Sequence, residues 1–220
     1  VKGTLRAIGT QIKPIIFTAQ TVPYFWKGIQ FTSNLTDTTS EMNWVTIEYA
    51  KGGAAPLSAL SANEHSFTLR NSIIRNYECD DCRGIKLIHS NATIIENTQL
   101  LGGYPGKSTF GIHIEYGNPS IQNSTFENNF TGIFINSLDT GDLPTISGNT
   151  FTANGRAVYA IPLNITFQNN TGSGNTYGIL LQGGFYGLPR LSIHIERSPH
   201  FFQYVFLHFR NNLHRYSLQH

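Results

Sequence analysis

Charged side chains are scarce in this chain: 13% of its 220 residues, about half the roughly 25% usual in globular domains. The formal net charge is only +2. A disordered polyelectrolyte and a basic nucleic-acid binder are excluded by that balance. No apolar run reaches the ~18 residues that a helix needs to cross a bilayer. The chain opens Val1-Lys2-Gly3 with neither an initiator Met nor a charged-then-apolar leader, so a signal peptide is expected to have been removed or to lie outside it. Cysteine is limited to two residues, in the single motif Cys79-Asp80-Asp81-Cys82.

Uncharged polar residues fill the gap. There are 20 Asn and 21 Gly. What charge exists is unevenly placed: from Tyr116 to Pro189 only Glu127, Asp139, Asp142 and Arg156 are charged, whereas Arg190 to His220 holds four Arg, one Glu and five of the eight His. That tail carries +3 and the preceding 189 residues −1. The body is therefore essentially neutral.

The body is also repetitive. A small residue followed by an apolar alternation recurs at Gly84-Ile85-Lys86-Leu87, Gly111-Ile112-His113-Ile114, Gly132-Ile133-Phe134-Ile135, Ala157-Val158-Tyr159-Ala160 and Gly178-Ile179-Leu180-Leu181, in steps of 27, 21, 25 and 21 residues. About ten residues before each lies a second element, clearest where IQNSTFENN from Ile121 matches ISGNTFTAN from Ile146. Each alternation is short, has period two and is bounded by Gly or Asn, which predicts a strand and not a helix. A unit this small cannot bury its own apolar face, so successive units must stack as coils and form parallel sheets along the stack. Ile85, Ile112, Ile133, Val158 and Ile179 should then make one internal ladder. The recurrent positions Asn71, Asn97, Asn123, Gly148 and Asn169 fit an inward ladder at a turn, each amide bonding to the next coil.

The run from Gly3 to Thr18, then Trp26 to Phe31, then Trp44 to Ala50, resembles the opening coils of secreted right-handed parallel β-helix proteins. The later coils resemble the pectate-lyase-type repeat, including members similar to the NosD group. The resemblance implies an all-β fold, a right-handed parallel β-helix of about eight coils over residues 1–189, in a secreted or cell-surface protein. It implies no single activity, because this fold carries lyases, hydrolases, epimerases, adhesins and stalks. Val1 begins in mid-pattern, so upstream coils of a longer polypeptide are expected. Residues 190–220 break the Gly/Asn rhythm with an aromatic run, Phe201 to Phe209. They form an atypical basic tail: a C-terminal cap, a partner-binding segment or out-of-frame coding sequence.

On such a stack a binding site is a row of outward side chains. One residue past each core isoleucine the repeat gives Lys86, His113, Phe134, Tyr159 and Leu180; two further along it gives Ile88, Glu115, Asn136, Ile161 and Gln182. His113, Phe134 and Tyr159 form a ridge on which a sugar ring could stack, with Asn136, Glu115 and Lys86 as polar partners. Alternatively the aromatics stack on one another or lie beneath a loop. For catalysis the candidates are Lys86, His113 and Glu115, on one outward face; a solvated charge trio is the competing account. The paired Asp carboxylates of a hydrolase and the acidic calcium cluster of a lyase are not visible in the pattern.

The cysteine motif reads as a disulfide, Cys79 to Cys82, closing a short loop in a secreted protein. Zinc would need two further ligands, and His65 and His89 recommend themselves only by proximity. Asp80 and Asp81 are candidate ligands for calcium; no other cofactor is implied. Six Asn-X-Ser/Thr sequons, at Asn34, Asn91, Asn123, Asn129, Asn164 and Asn169, follow from a composition rich in Asn and Thr. The expected function is an extracellular or cell-surface module that binds a polysaccharide or other glycan, or serves as a structural stalk, without catalysis of its own. The alternative is a polysaccharide lyase or glycoside hydrolase acting through Lys86, His113 and Glu115.

Overall fold

The computed structural model describes residues 1, 3–21, 24–32, 40–51, 57–77, 79–103, 106–136, 141–161, 165–183, 193–196, 205–209 and 212–216, with side chains as far as Leu181. Among these residues there is no helix. Strands are short and follow one another in a fixed rotation through three sheets. Sheet I holds Arg6–Ile8, Ser40–Asn43, Phe67–Arg70, Ile94–Glu96, Ser120–Gln122, Thr145–Ser147, Ile165–Gln168 and Ile193–Glu196. Sheet II holds Ile15–Phe17, Val45–Glu48, Ile73–Arg75, Gln99–Leu101, Thr125–Glu127, Thr150–Thr152 and Thr171–Ser173. Sheet III holds Ile29–Phe31, Ser58–Asn63, Arg83–Ile88, Phe110–Glu115, Thr131–Asn136, Arg156–Ile161, Tyr177–Gly183 and Val205–Phe209, closed by an antiparallel strand, Asn212–Tyr216. All other neighbours pair in parallel, so the chain winds as a β-solenoid. Each strand lies about 4.8 Å from its counterpart one coil away.

The strands from Arg6 to Gly183 make seven complete coils, one fewer than the length suggests. The opening coil is long: Arg6 pairs with Glu41, 35 residues on, whereas Thr145 pairs with Thr166, 21 residues on. Beyond Gly183 the backbone adds a sheet I strand beside Ile165–Gln168 and a sheet III strand beside Tyr177–Gly183. The side chains of the 190–220 tail, including its aromatic run, lie outside the described residues.

Inside the stack, identical rows sit above one another. The sheet III ladder Leu60, Ile85, Ile112, Ile133, Val158 and Ile179 is in register and fully buried. Sheet II contributes Ile74, Leu100, Phe126 and Phe151, and sheet I contributes Leu69, Ile95, Ile121, Ile146 and Phe167. The small residue that opens each sheet III repeat has a steric cause. A Cβ on Gly111 would lie 2.5 Å from the Gly132 carbonyl oxygen and 2.9 Å from the Phe126 ring.

The corners explain the Asn content, with one correction to the register. Asn71, Asn97, Asn123, Gly148 and Asn169 do recur at the corner from sheet I to sheet II, but they do not face inward. They hold positive φ, between 48° and 66°, a left-handed conformation that Asn and Gly tolerate best, and none of them is buried. The next residue turns in. Ser72, Ser124, Asn149 and Asn170 accept the backbone N–H of Val45, Thr98, Ser124 and Asn149 at 2.9–3.1 Å. At the corner from sheet II to sheet III the buried Asn129 and Asn154 and the adjoining Asn175 repeat the device. Their amides donate to the carbonyls of Leu100, Phe126 and Phe151, and the Oδ1 atoms of Asn154 and Asn175 accept from the preceding coil. Backbone groups that each corner would leave unpaired in the dry interior are thereby satisfied.

Candidate binding site

The outward face of sheet III differs from those of its neighbours. Sheets I and II carry cross-coil ion pairs in their early coils, such as Arg70 with Glu96 and Arg75 with Glu48, and Thr, Ser and Gln in their later ones. Sheet III carries three adjacent outward rows that combine cations, aromatics and buried polar atoms. In register, they read Arg83, Phe110, Thr131, Arg156; then Lys86, His113, Phe134, Tyr159; then Ile88 beside Glu115, and Asn136 beside Ile161. The first row lies two residues before each core isoleucine. A strict period-two alternation would turn that position inward; Arg83 instead reaches His113 and Arg156 lies over Tyr159, so the alternation breaks at the small residue between.

The structure brings Lys86, His113 and Glu115 together. Lys86 Nζ lies 2.8 Å from Glu115 Oε1, and His113 Nε2 is 3.4 Å from the same oxygen. Arg83, absent from the sequence-based candidates, completes the cluster: its Nε donates to His113 Nδ1 at 2.8 Å. Its other donors reach the Asp81 carbonyl and carboxylate. Although they point away from the core, Arg83, Lys86 and His113 are buried. Burial, then the charges of Arg83 and Lys86, hold the His113 imidazole down at about 3. The ring is neutral at ordinary pH, and because Nδ1 accepts from Arg83 the proton resides on Nε2.

This arrangement constrains the chemistry. A general base needs an available lone pair within reach of a proton. The His113 lone pair is occupied by Arg83, and the Lys86 ammonium and Glu115 carboxylate face each other. These three residues form a closed charge cluster, not a poised acid and base.

The aromatic ridge is present, and its faces are turned on one another. Phe134 stacks on Tyr159 with centroids 5.0 Å apart, and Phe110 and His113 tilt against Phe134 at 5.6 and 4.6 Å. The ridge therefore offers ring edges to a ligand along most of its length, instead of stacking faces. Arg156 lies over the rings of both Phe130 and Tyr159, 4.8 and 5.0 Å from their centroids. Burial pushes the Tyr159 phenol up, with the Arg156 guanidinium opposing that shift. Asn136 is half-buried at the end of its strand.

Two buried polar side-chain atoms among the described residues have no hydrogen-bond partner, His113 Nε2 and Thr131 Oγ1. They belong to adjacent strands of sheet III, both are enclosed, and the Glu115 carboxylate lies 3.4 Å from the His113 nitrogen.

Cys79 and Cys82 are joined by a disulfide, with Cα atoms 5.1 Å apart, and the loop presents Asp81 to Arg83. His65 lies 3.1 Å from Ser40 Oγ and His89 stacks on Tyr116, and with both sulfurs in the disulfide neither cysteine is free to ligate zinc. Asp81 is committed to Arg83, and among the described residues no three His, Cys, Asp or Glu side chains gather as metal ligands. Of the sequons, Asn129 is wholly buried while Asn91, Asn123 and Asn169 are exposed; Asn34 and Asn164 lie outside the described residues.

A family model described as right-handed beta helix region matches residues 58–189. No curated protein matches the chain. Among solved structures, the plasmid-mediated fluoroquinolone resistance protein QnrB1 is similar at 9% identity over 76% of this chain and 91% of that one, with a TM-score of 0.18. At that level of superposition nothing follows from the likeness.

Proposed function

We propose that this chain, which belongs to the right-handed β-helix family, is a non-catalytic carbohydrate-binding module whose binding face is the outward side of sheet III. The fold alone assigns no activity. One observation carries the reading: Phe110, His113, Phe134 and Tyr159 form one contiguous ridge on this face across three adjacent coils. Asn136 and Glu115 at the strand ends add polar contacts, and the ring edges add apolar ones.

The absence of catalysis in this reading rests on the closed cluster of Arg83, Lys86, His113 and Glu115. A secreted or cell-surface location suits the Cys79–Cys82 disulfide, since such bonds persist in oxidising compartments. The test is a panel of neutral and acidic polysaccharides, with and without calcium, assayed for binding and for new reducing ends or unsaturated products. Binding without turnover is expected, weakened by Phe134→Ala and Tyr159→Ala. Binding unchanged in both variants would remove this face as the site. Product formation that vanishes in His113→Ala would establish a lyase or hydrolase instead.

A further inference from the structure

Among the described residues seven large apolar side chains are exposed, and six of them, Val1, Ile8, Ile12, Ile16, Tyr24 and Phe25, lie in the opening coil. Single exposed apolar residues are ordinary, whereas a concentration of them marks an interaction surface. The charge there is equally one-sided. Residues 1–32 hold Lys2, Arg6, Lys13 and Lys27 and no Asp or Glu. Arg6 faces Glu41 of the second coil at 3.9 Å. Among the described residues neither Lys13 nor Lys27 has a carboxylate partner, and both are exposed.

The backbone holds one of the apolar side chains out. Ile8 pairs with Asn43 and Ile15 with Val45, so where the second coil turns its corner on Trp44 alone, the first uses six residues, Gly9 to Pro14. Thr10 and Lys13 exchange backbone hydrogen bonds at 3.0 and 3.1 Å, which closes a tight turn with Gln11 and Ile12 at its tip. Gly9 and Ile15 donate to the carbonyls of Asn43 and Trp44 and anchor its base. Ile12 is 88% exposed. Ile8 and Ile16 flank the turn and alternate with Ala7, Ile15 and Phe17, which pack on the core. They point sideways from the stack, so a further coil laid on its end would leave them uncovered. Tyr24 and Phe25 stand in the connection that follows the Ile15–Phe17 strand, with the Lys51 ammonium 4.5 Å from the Phe25 ring centroid.

We infer that the opening coil docks on an anionic lipid bilayer, the Ile12 turn entering the interface and Ile16, Tyr24 and Phe25 lying against it. Apolar and aromatic side chains interspersed with lysine, and with no carboxylate in the same stretch, match the boundary between acyl chains and negative headgroups. Binding there grows with the apolar area buried and with attraction to anionic lipid. A second copy of the chain fits less well, because a two-fold contact would set these cations against one another. None of the sheet III residues that would face a glycan takes part.

The test floats the full chain with vesicles of phosphatidylglycerol and phosphatidylcholine, and with vesicles of phosphatidylcholine alone. Binding to the anionic vesicles is expected, weakened severalfold by about 0.5 M salt and by Lys13→Glu. Ile12→Ser should weaken it by about tenfold, through loss of a buried aliphatic side chain. Ile12→Cys carrying an environment-sensitive dye reads the contact directly, since Cys79 and Cys82 are joined and offer no competing thiol. Its emission should rise and shift to the blue on anionic vesicles. A dye at Thr150→Cys, on the same sheet five coils away, should not respond. Ile12 and Thr150 are both exposed, so neither change removes core packing. No flotation, equal binding to both kinds of vesicle, or an equal dye response at the two positions would overturn this docking. Self-association that Ile12→Ser abolishes, with no binding to vesicles, would overturn it in favour of a contact between copies.

Discussion

Arg83 Nε donates to His113 Nδ1 at 2.8 Å across adjacent coils, which makes a buried cation the partner of an imidazole lone pair. The pH dependence follows from that contact. His113 is held at about 3 in the folded chain against ~6.5 when unfolded. Between those values the unfolded state binds more protons, so stability rises with pH and is lost as pH falls from ~6.5 toward ~3. His113 should contribute an acid destabilisation on the order of a few kcal/mol, read from denaturant melts across that window. His113→Gln should flatten the slope. His65, shifted down chiefly by its burial, accounts for part of what remains.

The Lys86–Glu115 pair should prove asymmetric. The Lys86 side chain is 7% exposed and that of Glu115 is 27% exposed. Removing the carboxylate strands a buried ammonium, whereas removing the ammonium leaves a carboxylate that water can reach. Glu115→Gln is expected to cost about 1–3 kcal/mol, and Lys86→Met less. A double-mutant cycle by urea melting should show the double variant losing less than the sum of the two.

Two asparagines of the corner repeats should behave differently. Asn154 accepts Asn129 N–H and donates to the Phe126 carbonyl at 2.9 Å each, within the interior. Asn154→Ala would leave both groups unpaired and should cost about 2–4 kcal/mol. Asn123 is exposed, with φ 48°. There, Asn123→Ala should cost about 1 kcal/mol through backbone strain, and Asn123→Gly almost nothing. A similar loss in the two alanine variants would contradict this division of roles.

Gly111→Ala should destabilise the stack by about 1–3 kcal/mol. The added methyl meets the Gly132 carbonyl oxygen as well as the Phe126 ring. Phe126→Leu in the same chain should therefore restore little, because the backbone clash remains. Full rescue in a thermal melt would mean that the ring contact alone mattered.

The stacked architecture was legible in the sequence because every coil repeats the same packing problem. Ile85, Ile112, Ile133, Val158 and Ile179 recur where the interior requires them, and the period-two alternation leaves their outward neighbours fixed. The corner was legible in kind but misplaced by one residue. Asn at 71, 97, 123 and 169 answers to a backbone angle, while the inward bond is made by the residue after it, and composition does not separate those two uses of a small polar side chain. The binding face was only partly legible. His113, Phe134 and Tyr159 were placed by periodicity, but whether their rings face a ligand or one another depends on rotamers. Arg156 is not distinct in the sequence, where a lone cation in a stretch poor in charge reads as surface; its place over Phe130 and Tyr159 depends on the fold.

The corner between sheets I and II has a consequence for how such a chain can lengthen. From the third coil to the seventh it is always two residues long, at 71–72, 97–98, 123–124, 148–149 and 169–170, one in the left-handed region and one facing in. A single inserted residue there would throw every following side chain to the opposite side of its sheet. The connections into sheet III carry no such restriction: seven residues separate Arg75 from Arg83 and three separate Glu127 from Thr131. Growth by duplication can therefore proceed only in whole turns at one edge of the molecule. From the third coil to the seventh, variation in loop length, with whatever recognition it brings, falls at the edges that border the sheet III face.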